Sequence, residues 1–149
     1  MRVLTVRQPW AWAIVRGGKD VENRTRNLAG DYRGPIAIQV GLTLDEGASG
    51  AMLFDAYDEA IERGDGPGWR AGAGHIIGVV DLVDVHEDVS WFGALPGNDR
   101  CCSEWADKGA KHLVLANPRP LVEPLRWRGA LHLQRTTEAE AAEILRRVS

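Results

Sequence analysis

The segment Arg7–Arg24 reads RQPWAWAIVRGGKDVENR, and it predicts a short helix that runs into a strand. Pro9 suits a helix start, because proline lacks the N–H group that the first helical turn leaves unpaired. The residues from Trp10 to Arg16 contain no helix breaker. The apolar side chains of Trp10, Ala13 and Ile14 would lie on one face of a helix. Gly17 and Gly18 predict the helix end, since glycine adopts the left-handed conformation without steric cost.

The polar residues after this helix form a second pattern, Lys-x-x-Glu-x-Arg. If the chain is extended here, Glu22 and Arg24 point to the same side, and Lys19 stands just before them. This arrangement fits a ligand-binding or catalytic site at the junction between helix and strand. It equally fits a network of salt bridges that fixes the helix to the rest of the fold. The residue types alone leave both interpretations open.

Several stretches of the chain resemble the ASCH (activating signal cointegrator homology) domain family. Gly17–Arg24 matches the family signature Gly-x-Lys-x-x-Glu-x-Arg. The other landmarks follow in the family's order, and they are the lead-in Arg7–Ala11, Cys102–Ala106 and Asn117–Leu121. The likeness therefore covers most of the chain, from about Leu4 to about Leu133. The resemblance implies a small β-barrel related to the RNA-binding PUA fold, with helices packed outside.

The overall composition predicts one globular domain that spans residues 1–149. A hydrophobic fraction of 44% and a charged fraction of 26% are ordinary values for globular proteins. No apolar run is long enough to span a membrane, and the first residues lack the apolar core of a signal peptide. We therefore expect a cytoplasmic monomer that binds no membrane, in which the adjacent Cys101 and Cys102 stay reduced.

The charges are distributed unevenly along the chain. A formal net charge of −3 at pH 7 argues against general nucleic-acid binding. Residues 1–35, however, carry seven Lys or Arg residues against three Asp or Glu residues. A basic patch on an acidic body fits the selective binding of one anionic ligand, so we expect this segment to face one cleft. A chance asymmetry over a short window is the alternative.

The predicted elements indicate an α+β fold. After a first strand at Val3–Val6 and the first helix, we predict further strands near residues 36–40, 76–85, 112–116, 121–127 and 129–133. Capping-box pairs predict helices over residues 44–63 and 138–148. Many short strands without strict strand–helix alternation favour a curled or closed sheet over a doubly wound parallel sheet. This pattern agrees with the small PUA-like β-barrel that the resemblance implies, in which we expect the first helix to plug one end.

Motifs of several enzyme and cofactor classes are absent from the sequence. It contains no His-Glu-x-x-His, no paired Cys-x-x-Cys, no phosphate-binding loop and no Gly-x-Ser-x-Gly elbow. The four histidines are scattered. We therefore predict no metal and no cofactor, and the helix–strand junction remains the candidate site. In the glycine-rich loop at residues 64–74, Trp69 and Arg70 either stack on a base or pack the loop onto the body.

The candidate ligand-binding residues come from the junction, its lead-in and one later landmark. They are Arg7, Gln8, Trp10, Lys19, Glu22, Arg24 and Trp105. Lys19 and Arg24 would contact a phosphate or a base carbonyl group. Glu22 would accept a hydrogen bond from an exocyclic amine on a base edge. Trp10, Trp12 or Trp105 would provide a stacking surface.

The ligand that we expect is RNA or a modified nucleotide, because other members of the family that the chain resembles are similar to nucleic-acid binders. Another branch of the family consists of small bacterial amidohydrolases that act on N4-acetylcytidine. It implies an alternative in which Lys19 and Glu22 are catalytic. That branch has a threonine at the position of Glu22 and uses a further glutamate, for which Glu104 is the candidate here. We expect Glu22 to pair with Lys19 and to keep it protonated, which favours binding over catalysis. A protein-binding accessory module is the third alternative.

Overall fold

The computed structural model describes residues 1–48, 50–62, 72–87 and 102–149. Within these residues the chain forms six strands and three helices. In chain order they are β1 Arg2–Gln8, α1 Trp10–Arg16, β2 Val21–Arg24, β3 Gly34–Leu44, α2 Ala51–Glu62, β4 His75–Glu87, β5 Lys111–Arg126, β6 Gln134–Arg135 and α3 Glu138–Arg146.

The strands form one mixed sheet in the order β2-β5-β4-β3-β1-β6. The β1–β3 pair is parallel, and the other neighbouring strands pair antiparallel. In the described part of the chain, β2 and β6 form the two edges and do not pair with each other. The sheet is therefore open, and the closed barrel that we predicted from the sequence is not confirmed. The combination of one sheet with a few helices agrees with the predicted mixture of elements.

The bounds of α1 follow from local sequence, as predicted. At its start, the side-chain oxygen Oε1 of Gln8 accepts a 2.9 Å hydrogen bond from the backbone N–H of Trp12. At its end, the Ala13 carbonyl accepts hydrogen bonds from the N–H groups of both Gly17 and Lys19, each at 2.9 Å. Gly18 has a φ of 74°, the left-handed conformation that glycine adopts most readily. The chain reversal thus fixes the backbone of Lys19 against the end of α1.

Helices cover both faces of the sheet. Ile14 and Val15 of α1 lie in a core cluster with apolar residues of β1, β3, β4 and β5. On the other face, Ile144 of α3 packs into a second cluster with residues of β1, β3, β4 and β5. The third cluster joins α2 to α1 through Leu53 and Trp12. Consequently α1 lies between the sheet and α2.

Two strands, β3 and β5, are longer than predicted. The predicted helix over residues 44–63 begins only at Ala51, because Thr43 continues β3 and does not cap a helix. The strands predicted at 112–116 and 121–127 form the single strand β5. Asn117 interrupts its pairing with β4 at a φ of 50°, which is typical of a β-bulge. Pro118 and Pro120 lie in the part of β5 that does not pair with β2. This side of the strand is therefore an edge, which suits proline because proline cannot donate a backbone hydrogen bond.

The strand predicted at residues 129–133 is wrong. Its alternating pattern would place Leu131 and Leu133 on one buried face, but Leu131 is 96% exposed and only Leu133 is buried. The strand at this end of the sheet is instead the short β6. By contrast, the capping box of Thr137 and Glu140 is confirmed at the start of α3.

Two further findings concern membrane-spanning helices and the predictions that lie outside the described residues. None of the helices in the described residues combines the length and the apolar character that crossing a membrane requires. Most of the predicted loop 64–74, with Trp69 and Arg70, lies outside the described residues, as do residues 88–101 with Cys101.

Candidate functional site

A cleft of about 1540 Å³ opens between the helix–strand junction and several other segments of the chain. The junction contributes Trp10, Lys19, Glu22 and Arg24. Most of the other lining residues come from β3 and its end, from residues 73–75 and 104–107, and from residues 126–131 at the end of β5 and after it. Segments distant in sequence therefore meet at one concave surface, which is typical of a binding site.

Lys19 is the central cation of the cleft. Its side chain is buried, and its Nζ atom lies 5.3 Å from the ring centroid of Trp10 and 5.4 Å from that of Trp105. Among the described residues the ammonium group makes no hydrogen bond and no ion pair. Burial lowers the pKa of Lys19 from its ordinary value, although Glu22 and Asp107 oppose the shift by favouring the charged form. The two indole faces stabilise the cation but leave its N–H donors unused.

Glu22 pairs with Arg24 and not with Lys19, contrary to our prediction. An Oε1 atom of Glu22 lies 3.0 Å from Nη2 of Arg24. Burial raises the pKa of the Glu22 carboxyl, while Arg24 and Lys19 partly offset this by favouring the carboxylate. The two residues of the pair are two apart on β2, so they point to the same side of the strand.

Arg24 connects this pair to the first strand. Its Nη2 atom also donates to the carbonyl oxygen of Thr5 at 2.9 Å. Its Nε atom is buried and has no hydrogen-bond partner in the described chain. A buried donor without a partner is costly, so this N–H provides a second unused donor beside the cleft.

Trp105 is held in the wall of the cleft by the side chain of Asn23. The Nδ2 atom of Asn23 donates to the Trp105 carbonyl at 2.8 Å, and its Oδ1 atom accepts from the Asp107 N–H at 3.0 Å. Ser103 reinforces the same segment, because its hydroxyl donates to Asp20 and accepts from the Trp105 N–H. The segment 103–107 is thereby anchored to Asn23 of β2 and to Asp20 just before it.

The opposite tryptophan has its own polar anchor. Nε1 of Trp10 donates to Oδ2 of Asp45 at 2.8 Å, and the Asp45 N–H donates to the Gln8 carbonyl at 2.9 Å. Gln8 itself is buried at the start of α1 and does not line this cleft. Of the residues assigned from the sequence, Gln8 therefore supports the helix from within, whereas Arg7 is exposed on the cleft rim.

The floor of the cleft contains polar groups that the sequence analysis missed. The Thr5 hydroxyl donates to Oε1 of Gln39, and Nε2 of Gln39 donates to the Val40 carbonyl. A Cβ atom at Gly129 would lie only 2.6 Å from Oε1 of Gln39, so the backbone passes directly over this pair. A glutamine inside the otherwise apolar run of β3 was the signal that could have revealed this position, since buried polar groups need partners.

The basic residues of the first 35 positions do not all face the cleft, contrary to our expectation. Arg7, Lys19 and Arg24 line it. Arg2 lies instead over the Tyr32 ring at 4.6 Å, and Arg33 lies 3.7 Å from Asp84. Additional cationic groups come from the C-terminal part of the chain, where Arg126 and Arg128 are exposed on the opposite rim. Glu104 also lines the cleft, as an exposed side chain.

The chain is similar to known proteins both in sequence and in fold. The family model of the ASCH domain matches residues 4–125. Similar solved structures include ASCH from Zymomonas mobilis, a tyrosine-to-phenylalanine variant of it and a serine-to-alanine variant. Each is 17% identical to this chain and covers 99% of it, with TM-scores of 0.56, 0.57 and 0.56. The shares of those chains that are covered are 95%, 98% and 96%. At this identity the likeness shows the fold alone. No curated protein matches the chain in sequence.

Proposed function

The chain belongs to the ASCH domain family, and from this premise we propose that its cleft binds RNA or a modified nucleotide. The observation that carries the proposal is the state of Lys19, a buried cation between two indole rings without a hydrogen-bond acceptor in the described chain. An ammonium group has three donors, and burying them unpaired is unfavourable. A carbonyl or phosphate oxygen of a ligand would complete this environment.

The other groups of the cleft suit the remaining parts of a nucleotide. Trp10 and Trp105 present aromatic surfaces on which a base can stack. Glu22 would accept a hydrogen bond from an exocyclic amine. The unused Nε donor of Arg24 would contact an acceptor on the same ligand.

The size and rim of the cleft favour a short strand over a lone nucleoside. Pockets for small molecules usually measure about 300–1000 Å³, and this cleft has a volume of about 1540 Å³. Arg7, Arg126 and Arg128 lie on its rim, where their guanidinium groups would reach phosphates on either side of the bound base. The net charge of −3 would restrict binding to this cleft, since the rest of the body repels a polyanion.

Salt-dependent binding of short single-stranded RNA tests the proposal. We expect the affinity, measured by fluorescence anisotropy, to fall as salt rises, with a logarithmic slope of about −0.7 per phosphate contacted. Lys19→Met preserves side-chain length but removes the charge, and it should weaken binding by about tenfold or more, which is the usual effect of losing a charged hydrogen bond.

A matched control comes from the same basic segment. Arg26 is exposed and does not line the cleft, so Arg26→Ala should bind like the wild type apart from a small general charge effect. If Lys19→Met binds RNA as tightly as Arg26→Ala does, while both variants remain folded by circular dichroism, the cleft is not the RNA site.

One observation favours a second candidate function, the amidohydrolase. A lysine whose pKa is lowered by burial has a larger fraction of its amine in the neutral form, which is the form that can act as a general base. Glu22, whose pKa burial raises, would be a candidate proton donor or acceptor beside it. Because Glu22 forms its ion pair with Arg24, its hold on the Lys19 proton is weaker than a direct Lys19–Glu22 pair would give.

Incubation with N4-acetylcytidine separates the two functions. Hydrolysis would add water across the amide bond and release acetate and cytidine, which chromatography detects. We expect no turnover by the wild-type protein. Turnover by the wild type that disappears in Lys19→Met would establish the amidohydrolase. Turnover in Glu22→Thr alone would identify Glu22 as the group that suppresses this chemistry.

A further inference from the structure

A cluster of two histidines and one cysteine lies outside the cleft. His86 of β4 and His112 of β5 are direct cross-strand partners, and their rings meet edge to face at a centroid distance of 5.4 Å. Cys102 approaches them from the segment that precedes β5. One potential ligand atom from each of the three side chains lies within 4.8 Å of the other two.

The contacts of His112 orient its Nδ1 atom toward the cysteine. Its Nε2 atom lies 2.8 Å from the carbonyl oxygen of Asp107, which can only accept, so Nε2 carries the proton. In the neutral ring Nδ1 then has the lone pair, and this atom lies 3.5 Å from Sγ of Cys102. A nitrogen–sulfur separation of this size matches two ligands of one tetrahedral ion, given Zn–S and Zn–N bonds of about 2.3 and 2.0 Å.

His86 has an equivalent polar partner. Its Nδ1 atom lies 2.8 Å from Oδ2 of Asp84. When the imidazole is neutral it donates Nδ1–H to this carboxylate, and Nε2 then has the lone pair with which a histidine ligates a metal. A histidine that ligates a metal almost always donates its other N–H to a carboxylate or a backbone carbonyl. Both arrangements occur here, one on each histidine.

From this geometry we propose that His86, Cys102 and His112 form a Zn²⁺ site. Two imidazoles and a thiolate are the ligand types that zinc prefers, and water would complete a tetrahedral set. Binding would release the thiol proton of Cys102 to solvent, because the thiolate is the ligand form. This proposal departs from our sequence-based prediction of no metal, which rested on the absence of closely spaced motifs.

The site would act on the cleft through the segment 103–107. Asp107 accepts the His112 N–H with its carbonyl oxygen, and its own N–H donates to Asn23, which also holds Trp105. Zinc bound to Cys102 and His112 would therefore fix both ends of a short segment that forms one wall of the cleft. The role that we infer is structural: zinc orders Trp105 next to Lys19.

Titration with metal ions tests the site independently of any activity. Protein stripped with a chelator should take up one Zn²⁺ per chain in competition with a chromogenic zinc chelator. The Co²⁺-substituted protein should show a thiolate-to-cobalt charge-transfer band in the near ultraviolet. Cys102→Ser should lose this band, and His86→Ala should bind zinc at least about tenfold more weakly, comparable to the loss of an outer partner or greater.

The variants avoid the buried His112, whose replacement would confound binding with folding. His132→Ala is the matched control, because His132 is an exposed histidine outside the cluster, and it should bind zinc like the wild type. Equal zinc affinity of the wild type, Cys102→Ser and His86→Ala would overturn the site. Zinc should also slow hydrogen exchange of the amides at residues 103–107. Unchanged exchange in a zinc-loaded protein would overturn the structural role.

Discussion

The contact between α1 and β4 predicts that Gly78→Ala destabilises the fold. A Cβ atom at Gly78 would lie 2.6 and 2.8 Å from the two γ-methyl carbons of Val15, and 3.1 Å from the Arg119 carbonyl oxygen. Carbon atoms pack best at about 3.5–4.0 Å, so both methyl contacts would be about 1 Å too short. Valine in a helix is confined to one rotamer, and α1 therefore has to move as a body.

The magnitude follows from measured effects of overfilled cores. One added methyl group in a well-packed site costs about 1–3 kcal/mol of unfolding free energy, and about 2–4 °C in Tm for each kcal/mol at this chain length. Urea denaturation measures the first quantity. Gly41→Ala is the control, because Gly41 also lies in a strand but its Cβ would meet no atom closer than 3.6 Å.

A double variant identifies the cause. Val15→Ala alone creates a cavity and should cost on the order of 2 kcal/mol. Combined with Gly78→Ala, it makes room for the new methyl group, so the pair should be less destabilised than the sum by about 0.5–3 kcal/mol. Additive effects, or a Gly78→Ala protein as stable as Gly41→Ala, would refute the close contact. Because α1 carries Trp10 and fixes Lys19, Gly78→Ala should also weaken RNA binding from outside the cleft.

Two further predictions concern the pH dependence and the last helix. The pKa of Glu22 is raised by burial, so its contribution to stability is complete below pH 4.5, its ordinary value, and is lost as pH rises through the folded-state pKa. Urea denaturation of Glu22→Gln at several pH values should therefore show the variant gaining on the wild type above about pH 4.5, and a constant difference would contradict the shift. Thr137→Ala removes the capping box with Glu140 and should cost about 0.5–2 kcal/mol by the same assay, whereas the exposed Glu138→Gln should cost less.

The first helix was predictable because its signals are local. Pro9 precedes the first helical residue, and Gly18 has the left-handed conformation that ends the helix. The capping box of α3 is local in the same way. The strand predicted at residues 129–133 failed because alternation alone does not show which face is buried, and Leu131 lies in solvent.

The candidate site was predictable only in its first half. Lys19, Glu22 and Arg24 do line one cleft, since the turn and the strand that follow α1 set their relative positions. The ion-pair partner of Glu22 was predicted wrongly, since it is Arg24 and not Lys19. On one strand face Arg24 is the nearer partner, whereas Lys19 stands behind the turn at Gly18.

The second half of the site depends on strand register, which the sequence does not specify locally. Antiparallel pairing places Glu22 of β2 opposite Leu113 of β5, and this brings residues 103–107 beside the junction. β5 continues to Arg126, and the residues at its end and just after it form another part of the cleft rim. The register of β4 on β5 likewise sets His86 opposite His112, although the two are far apart in sequence.

The segment between Cys102 and His112 connects the two proposed sites physically. Its Asp107 bonds to His112 through one backbone group and to Asn23 through the other, and Asn23 holds the Trp105 carbonyl. Zinc would order this segment from one end, and a base stacked on Trp105 would order it from the other. Once one ligand has ordered the segment, the other would bind with a smaller loss of conformational entropy. Because a coupling free energy is reciprocal, any factor by which zinc tightens RNA binding must equal the factor by which RNA tightens zinc binding.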